Sequence, residues 1–75
     1  IERCTLSQWR SVQALNVESL LLGTQAALPL LRASTAASIV VVSSVAGLIG
    51  EPDLVAYGAA KGAARILSKS IALHC

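Results

Sequence analysis

Phenylalanine and methionine are absent from this 75-residue chain, tryptophan, tyrosine and histidine occur once each, and 13% of residues are charged. With so few aromatics there is no stacking platform for single-stranded nucleic acid. A net charge of +2 with scattered basic residues leaves no electrostatic footprint for a duplex. The lone histidine, His74, has no partner at metal-ligand spacing and reads as a surface residue. The two cysteines, Cys4 and Cys75, sit near opposite ends and read as reduced thiols of a cytoplasmic protein rather than as a disulfide. Long apolar runs are missing too. The candidates, Leu20 to Leu31 and Ile39 to Gly50, both fall short of the ~18–20 residues a spanning helix needs. The first contains Gln25 and Pro29, the second turns serine- and glycine-rich, and neither has the basic flank and cleavage site of a signal peptide. No membrane association is expected.

What is present is apolar: 55% of residues are hydrophobic. A chain this short buries only about 60% of its unfolded surface and needs a polar exterior to stand alone. The composition therefore predicts an interior slice of a larger domain. The start at Ile1 and the stop at Cys75, in mid-helix pattern, point the same way, so we expect a piece incomplete at both ends.

Thr5-Leu6-Ser7-Gln8 has the T-x-x-Q form of a capping box, and a helix should follow. Leu6, Trp9, Val12, Leu15, Leu20, Ala27 and Leu31 recur at helical intervals, predicting a helix to about Arg32, roughly forty ångströms at ~1.5 Å per residue. Pro29 predicts a bend near Gln25 or an early end. Gly23 costs roughly 1 kcal/mol against alanine, which close approach of a neighbouring helix would offset. After a small polar link, Ile39 to Ser43 is a β-branched run with the character of a buried strand. One strand cannot make a sheet, so its ladder partners must lie outside this segment. Gly50-Glu51-Pro52-Asp53 reads as a turn, with Asp53 placed to cap the next helix. From Leu54 the pattern is helical again. Ala60, Ala63, Ala64, Leu67 and Ile71 form its apolar stripe, with Arg65, Lys69 and His74 exposed. The fold class is thus α/β: an α–β–α slice of a helix-covered parallel sheet.

Tyr57 and Lys61 are four residues apart in an alanine- and glycine-rich helix, one turn apart on one face. A surface pair on an amphipathic helix would show the same spacing. A free phenol, with a pKa of about 10, exchanges protons poorly at neutral pH, but a fixed ammonium nearby favours the phenolate. The pair could serve as a general acid–base. Ser44 stands at the carboxyl end of the expected strand, where open α/β sheets place ligands. There it is either a turn cap or a donor to a substrate oxygen. Ser43 faces the other side of the strand and is the lesser candidate. Val45, Ala46, Leu48 and Ile49 suit an apolar substrate pocket or core packing equally. Gly58 and Gly62 permit close approach of a helix or ligand. Asn16, in mid-helix, reads on its own as an exposed or back-bonded asparagine.

Together Asn16, Ser44, Tyr57 and Lys61, in this order, resemble the catalytic tetrad of the short-chain dehydrogenase/reductase family. The local wording also matches: Asn16-Val17, Ser43-Ser44-x-x-Gly47, and thirteen positions from Ser44 to Tyr57. Ala60 departs from the serine frequent before the lysine. Asn16-Val17-Glu18-Ser19 and Ala72-Leu73-His74-Cys75 look most like bacterial hydroxysteroid and secondary-alcohol dehydrogenases. The resemblance implies that residues 1–75 are a central to C-terminal-half part of one Rossmann-like, doubly wound catalytic domain. The family's glycine-rich phosphate turn does not occur within them. It further implies NAD or NADP as cofactor, bound by Tyr57 and Lys61, and an alcohol or ketone substrate bound by Ser44 and Tyr57. Tyr57 would be the general acid–base, Lys61 its electrostatic support, and Asn16, at an irregularity in its helix, the holder, through its backbone carbonyl, of a water linked to the lysine. A homodimer or homotetramer through the two long helices is implied as well. The competing expectation is a non-catalytic binding or assembly module that keeps the fold. A membrane-associated peptide is a third.

Overall fold

The computed structural model describes residues 1–75. A long helix is built from α1 (Leu6–Gln13), a wide π turn (Ala14–Glu18) and α2 (Ser19–Ala33). A single 3-10 turn (Val45–Gly47) and a second long helix, α3 (Val55–His74), follow. The capping box forms as expected. Gln8 N–H donates to Thr5 Oγ1 at 3.1 Å, and Thr5 N–H donates to Gln8 Oε1 at 3.0 Å.

The first helix ends where the sequence places it, and its irregularity lies at Asn16, where the family resemblance implies one, rather than at Pro29. No early end occurs at Pro29, which sits inside α2. Gln25 and Pro29 are both exposed, so the Gln25 carbonyl deprived of its N–H partner can be hydrated. The irregular stretch is the π turn around Asn16 instead. There Ser19 N–H reaches back five residues to Ala14 O. Asn16 Nδ2 donates to Val12 O at 2.9 Å, and the Ser19 hydroxyl donates to Leu15 O. Two side chains thus serve carbonyls at the widened stretch, a competition with the regular ladder that these residue types are suited to.

The packing face also differs from the simple apolar pattern. Val12, Gln13, Asn16, Val17, Leu20, Thr24, Ala27, Leu28 and Leu31 are half-buried, whereas Leu15 is 75% exposed. The space beside Gly23 is open, so the expected neighbouring helix is not there. On α3 the stripe is as predicted at Ala60 and Ala64, which with Ala56 are the buried residues of the chain. Ala63 is exposed, as are Arg65, Lys69 and His74. Asp53 does not cap α3. Leu54 holds that position without a side-chain hydrogen bond, because the Glu51–Leu54 turn closes first, Leu54 N–H to Glu51 O at 3.2 Å.

The expected strand at Ile39 to Ser43 is not formed. Residues 35–43 take part in no backbone–backbone hydrogen bond. A strand exists only by pairing, and this chain offers no second one. The order seen is helix, irregular segment, helix. The expected membrane reading also changes. Because α1, the π turn and α2 run on as one helix, Leu6–Ala33 is 28 residues long and apolar enough to cross a membrane by length and composition.

Candidate active site

Gln13, on α1, donates from Nε2 to Ala56 O at 3.1 Å, joining α1 to the first turn of α3 just before Tyr57. The π turn packs on the same part of α3 and brings Asn16 there, half-buried. One Asn16 amide donor is used on Val12 O, leaving the second donor and Oδ1 unused within the chain.

On the opposite flank the 3-10 turn lies against α3. This contact explains the two small positions on each partner. A Cβ on Gly47 would stand 2.7 Å from the Lys61 carbonyl carbon and 2.9 Å from Gly62 N. A Cβ on Gly58 would stand 2.9 Å from Ala46 O. Neither distance is one a side chain can hold, and backbone on both sides leaves nothing flexible to yield. Gly58 therefore does admit close approach, of a turn rather than a helix, whereas a Cβ on Gly62 would meet Gly47 O at an ordinary 3.5 Å.

Ser44 opens that turn with extended backbone, φ −153° and ψ 159°, and its Oγ accepts from Ala46 N–H at 3.2 Å. It is a cap, and it keeps its own proton to donate. Ser43 makes a contact of longer range, its Oγ donating to Lys61 O at 2.9 Å. Lys61 Nζ in turn donates to Val42 O at 3.2 Å and stands 5.7 Å from the centroid of the Tyr57 ring. This is within cation–π range, and the pair shares one side of α3 as the spacing predicts. Both side chains are half-buried. Tyr57 borders a recess of about 750 Å³ lined also by Glu2, Gln8, Val12, Asp53 and Leu54. A smaller cavity of about 250 Å³ lies between Ser43, Ser44, Leu48, Arg65 and Ser68. Val45, Leu48 and Ile49 are more than half exposed, so they pack in no core and remain free for an apolar ligand.

The structure thus brings Tyr57 and Lys61 together, ties Lys61 to Val42 and Ser43, and holds the turn that Ser44 opens against the same helix. The sequence gives no direct sign of the Gln13, Val42 and Gly47 contacts. Gln13 does fall four residues after Trp9 and four before Val17, a polar residue on the packing face, which is a weak signal for a buried partner.

A lysine ammonium has three donors, and one goes to Val42 O, leaving two. The Tyr57 hydroxyl is used in no hydrogen bond within the chain.

Residues 1–75 match the family described as short chain dehydrogenase. The chain is 40% identical, over its whole length, to the NADP-dependent (R)-specific alcohol dehydrogenase of Lentilactobacillus kefiri, 30% of which is covered. It is 41% identical over 66 residues to the cyclopentanol dehydrogenase of Comamonas sp., covering 88% of this chain and 26% of that one. A tropinone reductase homolog of Arabidopsis thaliana is 41% identical over 69 residues, covering 92% and 26%. No solved structure matches. The chain belongs to the short-chain dehydrogenase family. It spans between 26% and 30% of the length of these curated relatives.

Proposed function

We propose that this chain carries the proton-handling half of an NAD(P)-dependent oxidoreductase acting on a secondary alcohol or ketone. The observation that carries the proposal is the Tyr57–Lys61 pair, with the ammonium 5.7 Å from the phenol ring and two donors to spare. The bound cofactor would give or take the hydride. Tyr57 would exchange the proton with the substrate oxygen, as general acid in reduction and as base in oxidation. Lys61 would favour the ionised phenol by its charge and hold the nicotinamide ribose with its remaining donors. Ser44 would donate its free hydroxyl proton to the substrate oxygen, where negative charge develops during transfer. Asn16 would hold, through its backbone carbonyl, a water linked to Lys61. The exposed apolar side chains of the 45–49 turn would take the body of the substrate.

The domain is a Rossmann-like doubly wound sheet in this reading, with residues 39–43 one of its parallel strands once neighbouring strands supply the ladder. Small-molecule substrates and a homodimer or homotetramer built on the outer faces of α2 and α3 are part of the proposal. Leu21, Leu22, Leu30, Ile66 and Leu73 are exposed there. A cytoplasmic, membrane-free protein without nucleic-acid partners completes it. Hydroxysteroids and other secondary alcohols are the proposed substrate classes.

The test is Tyr57→Phe in a full-length protein carrying this chain. Turnover should fall by about 10²–10⁴ while cofactor binding, followed by fluorescence titration, is kept. Unchanged turnover would leave a binding or assembly module as the better account.

A further inference from the structure

Lys61 is gripped at both ends by two consecutive residues. Val42 O receives its ammonium at 3.2 Å, and Ser43 Oγ donates to its backbone carbonyl at 2.9 Å. A carbonyl in a helix interior is already served by the N–H four residues on. Lys61 O therefore does not need a second donor for satisfaction. The same peptide is pressed from the next turn by Gly47, whose contact leaves no room for a methyl group.

We propose that Ser43 is a positioning residue for the acid–base pair: its hydroxyl, bound to the Lys61 carbonyl, sets where the lysine stands along α3 and how its ammonium reaches Tyr57. The proposal rests on the reading of Tyr57 and Lys61 as the proton-handling pair. Charge–charge interaction falls with distance, so a displaced ammonium gives less support to the negative charge that Tyr57 carries during proton transfer, and a pH–rate profile reads that loss. Other titratable or charged groups lie around the pair. Glu2, Arg3, Cys4 and Asp53 line the recess that Tyr57 borders, and Arg65 lines the cavity shared by Ser43 and Ser44. Arg10 on α1 and Glu18 in the π turn are exposed. None of these side chains hydrogen-bonds Ser43 or Lys61.

In the full-length protein with its cofactor, Ser43→Ala should move the acid limb of the kcat/KM profile for alcohol oxidation upward by about half to one pH unit. A limb displaced by one unit is tenfold in rate on its acid side, so activity there should drop about three- to tenfold. Ser43→Thr should return the limb to its original place. Gln13→Ala removes the other side-chain donor from outside α3 to one of its carbonyls, at Ala56, and should lower the melting temperature without moving the limb. Ser43→Cys, a weak donor of similar shape, should move the limb in the same direction as alanine and covers the case in which the alanine variant does not fold. An unmoved limb in the Ser43 variants, or an equal movement in Gln13→Ala, overturns the positioning role while Tyr57→Phe remains inactive. Full activity in Tyr57→Phe is a different result and overturns the acid–base reading beneath it.

Discussion

Gly47 shows how much of the site depends on a single missing atom. Its Cα lies so close to the Lys61–Gly62 peptide that any Cβ must push backbone. Gly47→Ala should cost about 1–3 kcal/mol, the usual range for forced overpacking, seen as a lowered unfolding midpoint in denaturant. Because the displaced peptide is that of Lys61, turnover of the full-length protein should fall with it. A midpoint unchanged within error would mean that the turn can lift from α3. The residues legible from sequence were those whose partners are near in the chain. Thr5 and Gln8 are three apart and Tyr57 and Lys61 four, and helical geometry alone pairs them. Ser43 and Lys61 are 18 apart, and Gln13 and Ala56 are 43 apart. No periodicity reaches across an irregular segment to pair such residues, so Ser43 reads from sequence as the lesser serine and turns out to touch the lysine.

Among elements, the two helices carry their own instructions. The capping box, the apolar spacing and the small residues of α3 are local signals, and both helices form within a residue or two of their expected limits. Thr5→Ala should remove the bond from Gln8 N–H to the Thr5 hydroxyl, leaving only the backbone bond from residue 5 to Gln8 Oε1, and cost about 1 kcal/mol, with fraying of α1 measurable as lost helical circular dichroism. Undiminished helicity would show that packing alone holds the helix start. The 39–43 segment behaves differently because its structure is not its own. Its β-branched residues describe a preference for a pleated, packed surface, but hydrogen bonds must come from other strands. Val40 is 86% and Val42 73% exposed here, side chains suited to a sheet face with no sheet beside them. Asp53 failed as a cap for a related reason: the tight Glu51–Leu54 turn placed Leu54 at the helix start.

The whole molecule is open. Its radius of gyration is 14.2 Å, against about 11 Å for a compact domain of this length. It exposes 5587 Å², where a compact protein of its mass exposes about 4,300 Å². Large apolar side chains at Leu15, Leu22, Leu30, Val40, Ile66 and Leu73 make up part of that excess. The high apolar content read from sequence anticipated this, since three small alanines are all that the chain buries. Expressed alone, the chain should bind a hydrophobic dye, self-associate in sedimentation and melt over a broad, weakly cooperative range. It should not oxidise secondary alcohols with NAD or NADP, although it holds Tyr57 and Lys61. A sharp, concentration-independent transition or measurable turnover would show that these 75 residues suffice.

The wide turn at Ala14–Glu18 has one more consequence. A backbone loop closed over five residues instead of four swallows a surplus position between α1, which packs on α3, and α2, which does not. Shortened by one residue at that spot, the rod would become straighter and its ladder more regular. It would still seat itself. The change would fall on Asn16, turned away from the side of the wide turn that packs on α3.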